Sequence, residues 1–366
     1  MKFALAGGGT GGHAYPAIAV AERLRDSFDT ELVYYGTAHG PERDLAGDAG
    51  IPFRAIPASQ VRGRSPWRLG GGLFNLLRGQ RRARRELRAD PPDALFATGG
   101  YASAPMGSAT RSRHVPMLLF LPDVKPGWAV RYMQRHATTV ACSVEASLAF
   151  LPPRKTVVTG YPVRRQFADA TRDEGARHFG LDPAVRTLLV AGGSLGAHHI
   201  NRTVAGALPR LLERAQVLHI SGPDDETWLR RERAQLPDWQ RARYHVTGYT
   251  SEMAMAMAAA DLAITRAGAS SLGELPVSGL PAIMLPGGFS DQRTNASYLV
   301  TQGAAVSLMP AELDSLADAA IALLDDEPRL AAMREAMTAL ARPDAAERLA
   351  SMLREMARRE GREGAA

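Results

Sequence analysis

The chain has 366 residues, an ordinary apolar content of 45% and a single cysteine, Cys142. Such a length exceeds what one core usually serves and predicts two domains. One cysteine excludes an internal disulfide framework and a cysteine metal cluster, and fits a reducing compartment. The formal charge of +6, with the excess carried by arginine, admits nucleic acid, an anionic membrane or phosphate-bearing substrates without choosing among them.

The opening run Lys2-Phe3-Ala4-Leu5-Ala6 passes at once into glycine and is too short for a signal-peptide core. No stretch approaches the ~18 apolar residues of a spanning helix, so a cytoplasmic protein is expected. Lys2 to Ala6 reads as a strand. Glycines follow, then helical spacing through Ile18, Ala21 and Leu24, then a strand over Glu31–Tyr35: one βαβ unit. Further strands are predicted at Asp93–Ala97, Pro116–Leu121, Thr139–Cys142 and Thr156–Thr159. The pattern restarts with a strand at Arg186–Ala191, a turn at Gly192–Ala197 and a helix over about His199–Ala215. Strands at Val217–Ile220, Arg243–Val246, Leu262–Thr265, Ala282–Leu285 and Ala305–Leu308 complete it. Strands alternating with helices predict parallel sheets covered on both faces. The expected architecture is α/β with two Rossmann-like halves, residues 1–160 and 161–343, joined near Thr159–Asp173. A charged amphipathic helix at about 344–366 is free to pack on either half, the first included.

Gly7, Gly9 and Gly12 fit G-x-G-x-x-G after a strand, the dinucleotide fingerprint in which a phosphate approaches a helix N-terminus. A dehydrogenase needs an acid at the end of the second strand to hold the ribose. That strand ends Tyr35-Gly36-Thr37, and Glu31 stands at its other end. His13 follows the last glycine directly and is a candidate general base; its plain reading is a capping or core-edge histidine. Gly99-Gly100-Tyr101 and Gly192-Gly193-Ser194-Leu195-Gly196-Ala197 also follow strands, where open sheets bind ligands. Together the loops predict a cleft holding phosphate-bearing ligands.

Ala269-Ser270-Ser271 reads as a further helix start, with Glu274 in its first turns. That carboxylate can hold both hydroxyls of a ribose, or simply favour the helix N-terminus. Asp291, Gln292 and Asn295 crowd the end of another strand, and Gln292 and Asn295 share a helix face. No His-x-x-x-His, Asp-x-Asp or cysteine cluster appears, so no metal and no cofactor is expected. A diphosphate would be neutralised by helix dipoles, backbone N–H groups and arginine, with Arg164 a candidate at the joint between the halves.

Taken in order, Gly8-Gly9-Thr10-Gly11-Gly12-His13, Gly99 to Pro105, Gly160-Tyr161-Pro162-Val163-Arg164, Gly192 to Ala197, Arg266 to Glu274 and Asp291 to Asn295 resemble the MurG family of peptidoglycan glycosyltransferases over residues 3 to 345. The resemblance implies the GT-B fold, two Rossmann-like parallel-sheet domains facing a cleft. It implies inverting transfer of N-acetylglucosamine from UDP-GlcNAc to the C4 hydroxyl of the muramoyl-pentapeptide on undecaprenyl diphosphate (lipid I), giving lipid II. By motif, Thr10, Gly11 and Gly12 contact the donor sugar and His13 is the base for the acceptor hydroxyl. Arg164 and Ser194 face the diphosphate and uridine side, and Thr250 sits where the family contacts uracil through its backbone. Ala269, Ser270, Ser271, Leu272, Gly273 and Glu274 cradle the diphosphate and ribose. Gln292 reaches the donor sugar and Asn295 supports it. One departure stands out. Where the family has His-Glu-Gln-Asn, this chain reads Phe120-Leu121-Pro122-Asp123. Asp123 replaces an asparagine and cannot donate from an amide to a sugar hydroxyl.

Trp67, Leu69, Leu73, Phe74, Leu76 and Leu77, within the stretch from Arg62, precede Arg78, Arg81, Arg82, Arg84, Arg85 and Arg88. Apolar residues beside an arginine run read as an interfacial anchor on anionic lipid. Nucleic-acid binding would want more interleaved aromatics and is not expected. A peripheral position on the cytoplasmic face of the cell membrane follows. Alternatives from the residues remain a UDP-sugar transferase acting on another lipid such as diacylglycerol, a UDP-sugar epimerase, and a catalytically idle nucleotide-sugar binder.

Overall fold

Short runs of Val, Leu, Phe and Ala become buried strands wherever a helix can cover each face, because a parallel strand leaves neither side to solvent. The computed structural model describes residues 1–26, 29–59, 66–193, 196–287 and 290–363. The chain divides into two compact units, Met1–Arg164 with Arg342–Ala366, and Arg165–Ala341.

In the first unit the strands are β1 (Lys2–Ala6), β2 (Glu31–Gly36), β3 (Phe53–Ala55), β4 (Ala94–Ala97), β5 (Met117–Leu121), β6 (Thr139–Cys142) and β7 (Thr156–Val158). Among the described residues they form one sheet in the order β3-β2-β1-β4-β5-β6-β7, and every pairing is parallel. β3 has no counterpart in the sequence reading. It is a three-residue edge strand between Pro52 and Pro57, and an edge tolerates flanking proline that a central strand would not. Cys142 lies in the core, and burial pushes its thiol up to about 12; it is packing, as its isolation in the sequence predicts.

In the second unit the strands are β8 (Thr187–Ala191), β9 (Gln216–Ile220), β10 (Tyr244–Thr247), β11 (Leu262–Thr265), β12 (Ala282–Met284) and β13 (Ala305–Ser307). Their order among the described residues is β10-β9-β8-β11-β12-β13, again parallel. Both sheets therefore reverse direction of winding beside their first strand, between β1 and β4 and between β8 and β11. The carboxyl ends of such strand pairs are where open α/β sheets take ligands.

The helix predicted from Ala269 departs from expectation. Ala269–Leu272 is a single 3₁₀ turn, Gly273 breaks it with φ −128° and ψ −47°, and a new helical turn runs Glu274–Val277. The C-terminal helix, Ala345–Glu363, belongs to the first unit. Ala345, Ala346, Leu349, Ala350 and Leu353 are buried, and Arg354 donates to the carbonyl of Arg23 at the end of the helix Gly11–Arg25.

Candidate active site

In the first unit the loop after β1 opens the helix Gly11–Arg25, and the loop after β4 opens the helix Gly100–Thr110. The two loops meet at His13. Its Nδ1 lies 2.9 Å from the carbonyl oxygen of Thr98. A carbonyl only accepts, so Nδ1 carries the proton, and in the neutral ring Nε2 is then the acceptor. The Thr98 hydroxyl in turn donates to the carbonyl of His13. The close approach requires glycine. A Cβ on Gly100 would stand 2.2 Å from the Gly8 oxygen, and one on Gly99 3.4 Å from His13 Nδ1; both have positive φ, 72° and 83°. Gly99-Gly100 thus serves to seat the His13 ring.

Thr10 is exposed and makes no side-chain cap. Its carbonyl accepts from the N–H groups of His13 and Ala14, each at 3.2 Å, while those of Gly11 and Gly12 have no partner among the described residues. Arg164 falls in the first unit, with its guanidinium 4.7 Å from the centre of the Tyr15 ring. Asp123 is half-buried after β5, and its carbonyl accepts from the Ser147 hydroxyl at 3.4 Å.

Glu42 went unnoticed in the sequence. It is fully buried (0% exposed), one residue into the helix Pro41–Asp48. One carboxylate oxygen accepts from Gly9 N–H at 3.0 Å. The other accepts from the Thr37 N–H at 2.8 Å and hydroxyl at 2.7 Å. Thr37-x-x-Gly-x-Glu after β2 was the available signal, but a carboxylate there also reads as ordinary helix-end charge.

In the second unit the corresponding loops follow β8 and β11. Ser194, and Leu195 beside it, lie outside the described residues. Gly196, with φ 73°, packs where a Cβ would come 2.3 Å from the Ser221 carbonyl, so the loops after β8 and β9 touch. Beneath them is a polar network that the sequence reading missed. Asp225 accepts from His198 Nδ1, Asn201 Nδ2 and Trp228 Nε1, all at 2.7 Å. Burial opposes its charge, but these donors prevail and hold the carboxyl below its usual range. Asn201 Oδ1 faces His219 Nε2 at 3.0 Å, and the Tyr244 hydroxyl faces His219 Nδ1 at 2.9 Å. The Asn oxygen can only accept, so His219 is protonated on Nε2 and accepts a hydrogen bond from the Tyr244 hydroxyl on Nδ1.

After β11, Asn295 donates to the Ala267 carbonyl at 3.1 Å and fixes the start of the segment Ala267–Glu274. Gln292 accepts from Gly287 N–H at 2.7 Å. Both stand on the helix Ser290–Thr301, and a Cβ on Gly287 would strike Arg266, a cation the sequence reading left without a role. Ala269, Ser271, Leu272 and Glu274 are buried, Glu274 to 9% exposure, with Ser270 half-buried between them. Thr250 follows β10, and its hydroxyl oxygen accepts from Glu252 N–H at 3.0 Å, which ties the loop after β10 to its own next turn.

Residues 3–142 match the glycosyltransferase family 28 N-terminal domain and residues 187–349 the family 28 C-terminal domain. The chain is 40% identical to the UDP-N-acetylglucosamine–N-acetylmuramyl-(pentapeptide) pyrophosphoryl-undecaprenol N-acetylglucosamine transferase of Roseiflexus sp. (strain RS-1), over 95% of this chain and 93% of that one. It is 37% identical to the Geobacter sulfurreducens protein of the same name, over 95% and 96%. Among solved structures it is similar to Acinetobacter baumannii MurG, with a TM-score of 0.73 at 26% identity, covering 97% and 99% of the two chains. A Neisseria meningitidis UDP-GlcNAc 2-epimerase superimposes with a TM-score of 0.70 at 12% identity over 97% and 100%, a likeness of fold alone.

Proposed function

This chain belongs to the MurG family of N-acetylglucosaminyltransferases, and from that premise we propose that it moves N-acetylglucosamine from UDP-GlcNAc to the C4 hydroxyl of muramoyl-pentapeptide on undecaprenyl diphosphate, converting lipid I to lipid II. The observation that carries the chemistry is the bond of His13 Nδ1 to the Thr98 carbonyl at 2.9 Å. It leaves Nε2 to take the proton of the acceptor hydroxyl as that oxygen attacks the anomeric carbon. The bond from that carbon to the diphosphate oxygen breaks, UDP departs with the electron pair, and the anomeric configuration inverts. The N–H groups of Gly11 and Gly12 stand ready for a sugar or phosphate oxygen beside the base.

The donor nucleotide is assigned to the second unit. The segment Ala269–Glu274 takes the diphosphate and, through Glu274, the ribose. The backbone at Thr250 meets the uracil, and Gln292 reaches the sugar with Asn295 holding the segment in place. The fixed hydrogen bonds of Asn295 and Gln292 support this reading, because preorganised donors need no rearrangement as charge develops on the leaving group.

A lipid-linked acceptor calls for a surface that meets the bilayer. The helix Pro66–Ala89 exposes Leu77 and the guanidinium-bearing side chains of Arg78, Arg81, Arg82, Arg84, Arg85 and Arg88. We assign it to the anionic cytoplasmic leaflet. Arg62, and the side chains of Trp67, Leu69, Leu73 and Phe74, lie outside the described residues. Among those residues no helix is long and apolar enough to cross a membrane. The deciding assay offers radiolabelled UDP-GlcNAc with a lipid I analogue, with diacylglycerol, and with no acceptor. Product is expected with the first alone. Glycosylated diacylglycerol as the main product, or epimerised sugar without acceptor, would replace this function with one of the alternatives.

A further inference from the structure

In a dinucleotide-binding fold the N–H groups of the first glycine loop are turned toward a bound pyrophosphate. In this chain one of them is already taken. Gly9 N–H donates to the carboxylate of Glu42, and that carboxylate fills the space beside the loop. A Cβ on Gly8 would lie 2.2 Å from its carbon, one on Gly40 2.2 Å from an oxygen, and one on Gly36 2.5 Å from the Glu42 Cγ. Three glycines therefore make room for one buried acid. Gly8 and Gly9 have φ of 140° and 88°, so the loop also adopts a shape that other residues rarely tolerate.

We propose that Glu42 is a positioning residue for the transfer reaction: an internal anion, standing where the fold would otherwise hold a ligand phosphate, that fixes the loop carrying the base. The path is short. Glu42 holds Gly9; the next residue, Thr10, accepts from the N–H of His13 through its carbonyl; and the ring of His13 rests on Thr98. Glutamine cannot replace the acid. Both oxygens accept from backbone N–H groups, so an amide would have to turn its NH₂ on Gly9 N–H or on Thr37 N–H, donor against donor. Thr37 keeps more bonds to the side chain, and Gly9 is the contact that gives way.

The inference rests on His13 being the base, and its test has a readout that does not need turnover. The imidazole of His13 is observed by ¹⁵N NMR in the full-length protein and in Glu42→Gln, with steady-state kinetics alongside. The wild type is expected in the Nδ1–H tautomer and the variant in a mixture, with kcat lowered by about tenfold or more and the donor KM within about twofold. A merely structural role would move stability without splitting kcat from KM. A folded Glu42→Gln protein that keeps both the tautomer and kcat overturns the proposal. If the wild type does not transfer sugar at all, the function reading fails and the tautomer alone decides the role of Glu42. If Glu42→Gln does not fold, Thr37→Val takes its place. It removes only the hydroxyl donor at 2.7 Å and is expected to shift the tautomer part-way and lower kcat a few-fold; an unchanged tautomer and kcat there overturn the proposal equally.

Discussion

Pro16 sits inside the helix Gly11–Arg25 and takes away the N–H that would have met the carbonyl of Gly12. The Tyr161 hydroxyl donates to that carbonyl instead, at 3.2 Å, which gives the motif Gly160-Tyr161-Pro162 a concrete structural use. The same first turn carries His13. Replacing it with alanine should lower kcat by roughly 10²–10⁴, while UDP affinity measured by calorimetry stays within twofold, because the groups assigned to the nucleotide stand on the second unit. Loss of UDP affinity instead would remove His13 from the base role. At this scale the sequence was legible where partners are contiguous: His13 beside its glycines, Gln292 and Asn295 on one helix face. Glu42, Thr98 and Asp225 were not legible, since each acts on a residue far along the chain: Glu42 on Gly9, Thr98 on His13, Asp225 on His198 and Asn201. The missing acid at the end of β2 correctly argued against a dehydrogenase, yet an acid does come from the next helix and binds the loop itself.

Strand positions were readable almost throughout because a buried parallel strand is a short unbroken apolar run. β3 escaped because Phe53-Arg54-Ala55 is only three residues long, carries a charge at its centre and pairs on one side alone. The segment after Gly268 escaped in a different way: its serines resemble a helix start, but Ser271 turns its hydroxyl back to the Gly268 carbonyl and the turn closes as 3₁₀. The helix Pro66–Ala89 shows both its faces. Ala83 and Leu87 are buried, a Cβ on Gly79 would strike the Pro57 carbonyl, and Glu86 gathers Arg82 and Arg54. Arg81, Arg84 and Arg85 remain exposed to solvent. Changing those three to glutamine should remove roughly 1 kcal/mol of attraction each, on the order of a hundredfold in partitioning onto phosphatidylglycerol vesicles at low salt. The check is co-sedimentation with vesicles of increasing anionic content, with turnover of a short-chain, water-soluble acceptor as control. Equal vesicle binding by the variant would locate the membrane contact elsewhere.

Each unit carries the strand order of a Rossmann sheet, and each spends polar side chains inside to shape its loops. In the second unit the cost shows as pH sensitivity. Burial drives the His219 pKa down to about 3 from an ordinary 6.5, so the folded protein keeps this ring neutral while the unfolded chain protonates it. The stabilisation is complete above 6.5 and declines as pH falls from 6.5 towards 3. His245, also lowered by burial, acts in the same direction. Urea midpoints of the second unit's transition should therefore drop steadily across that window. His219→Gln should flatten the decline even though it lowers stability at pH 7; an equally steep decline in the variant would assign it to other groups. The first unit has a different peculiarity, since its final helix, Ala345–Glu363, comes after the whole of Arg165–Ala341 in the chain. On a ribosome adding about 5–20 residues per second, the part that holds His13 waits, with the surface meant for that helix uncovered, until the whole of the second unit has been synthesised. The unit translated first is thus the last to be finished. Until then its exposed apolar flank has to be kept from aggregation in the cell.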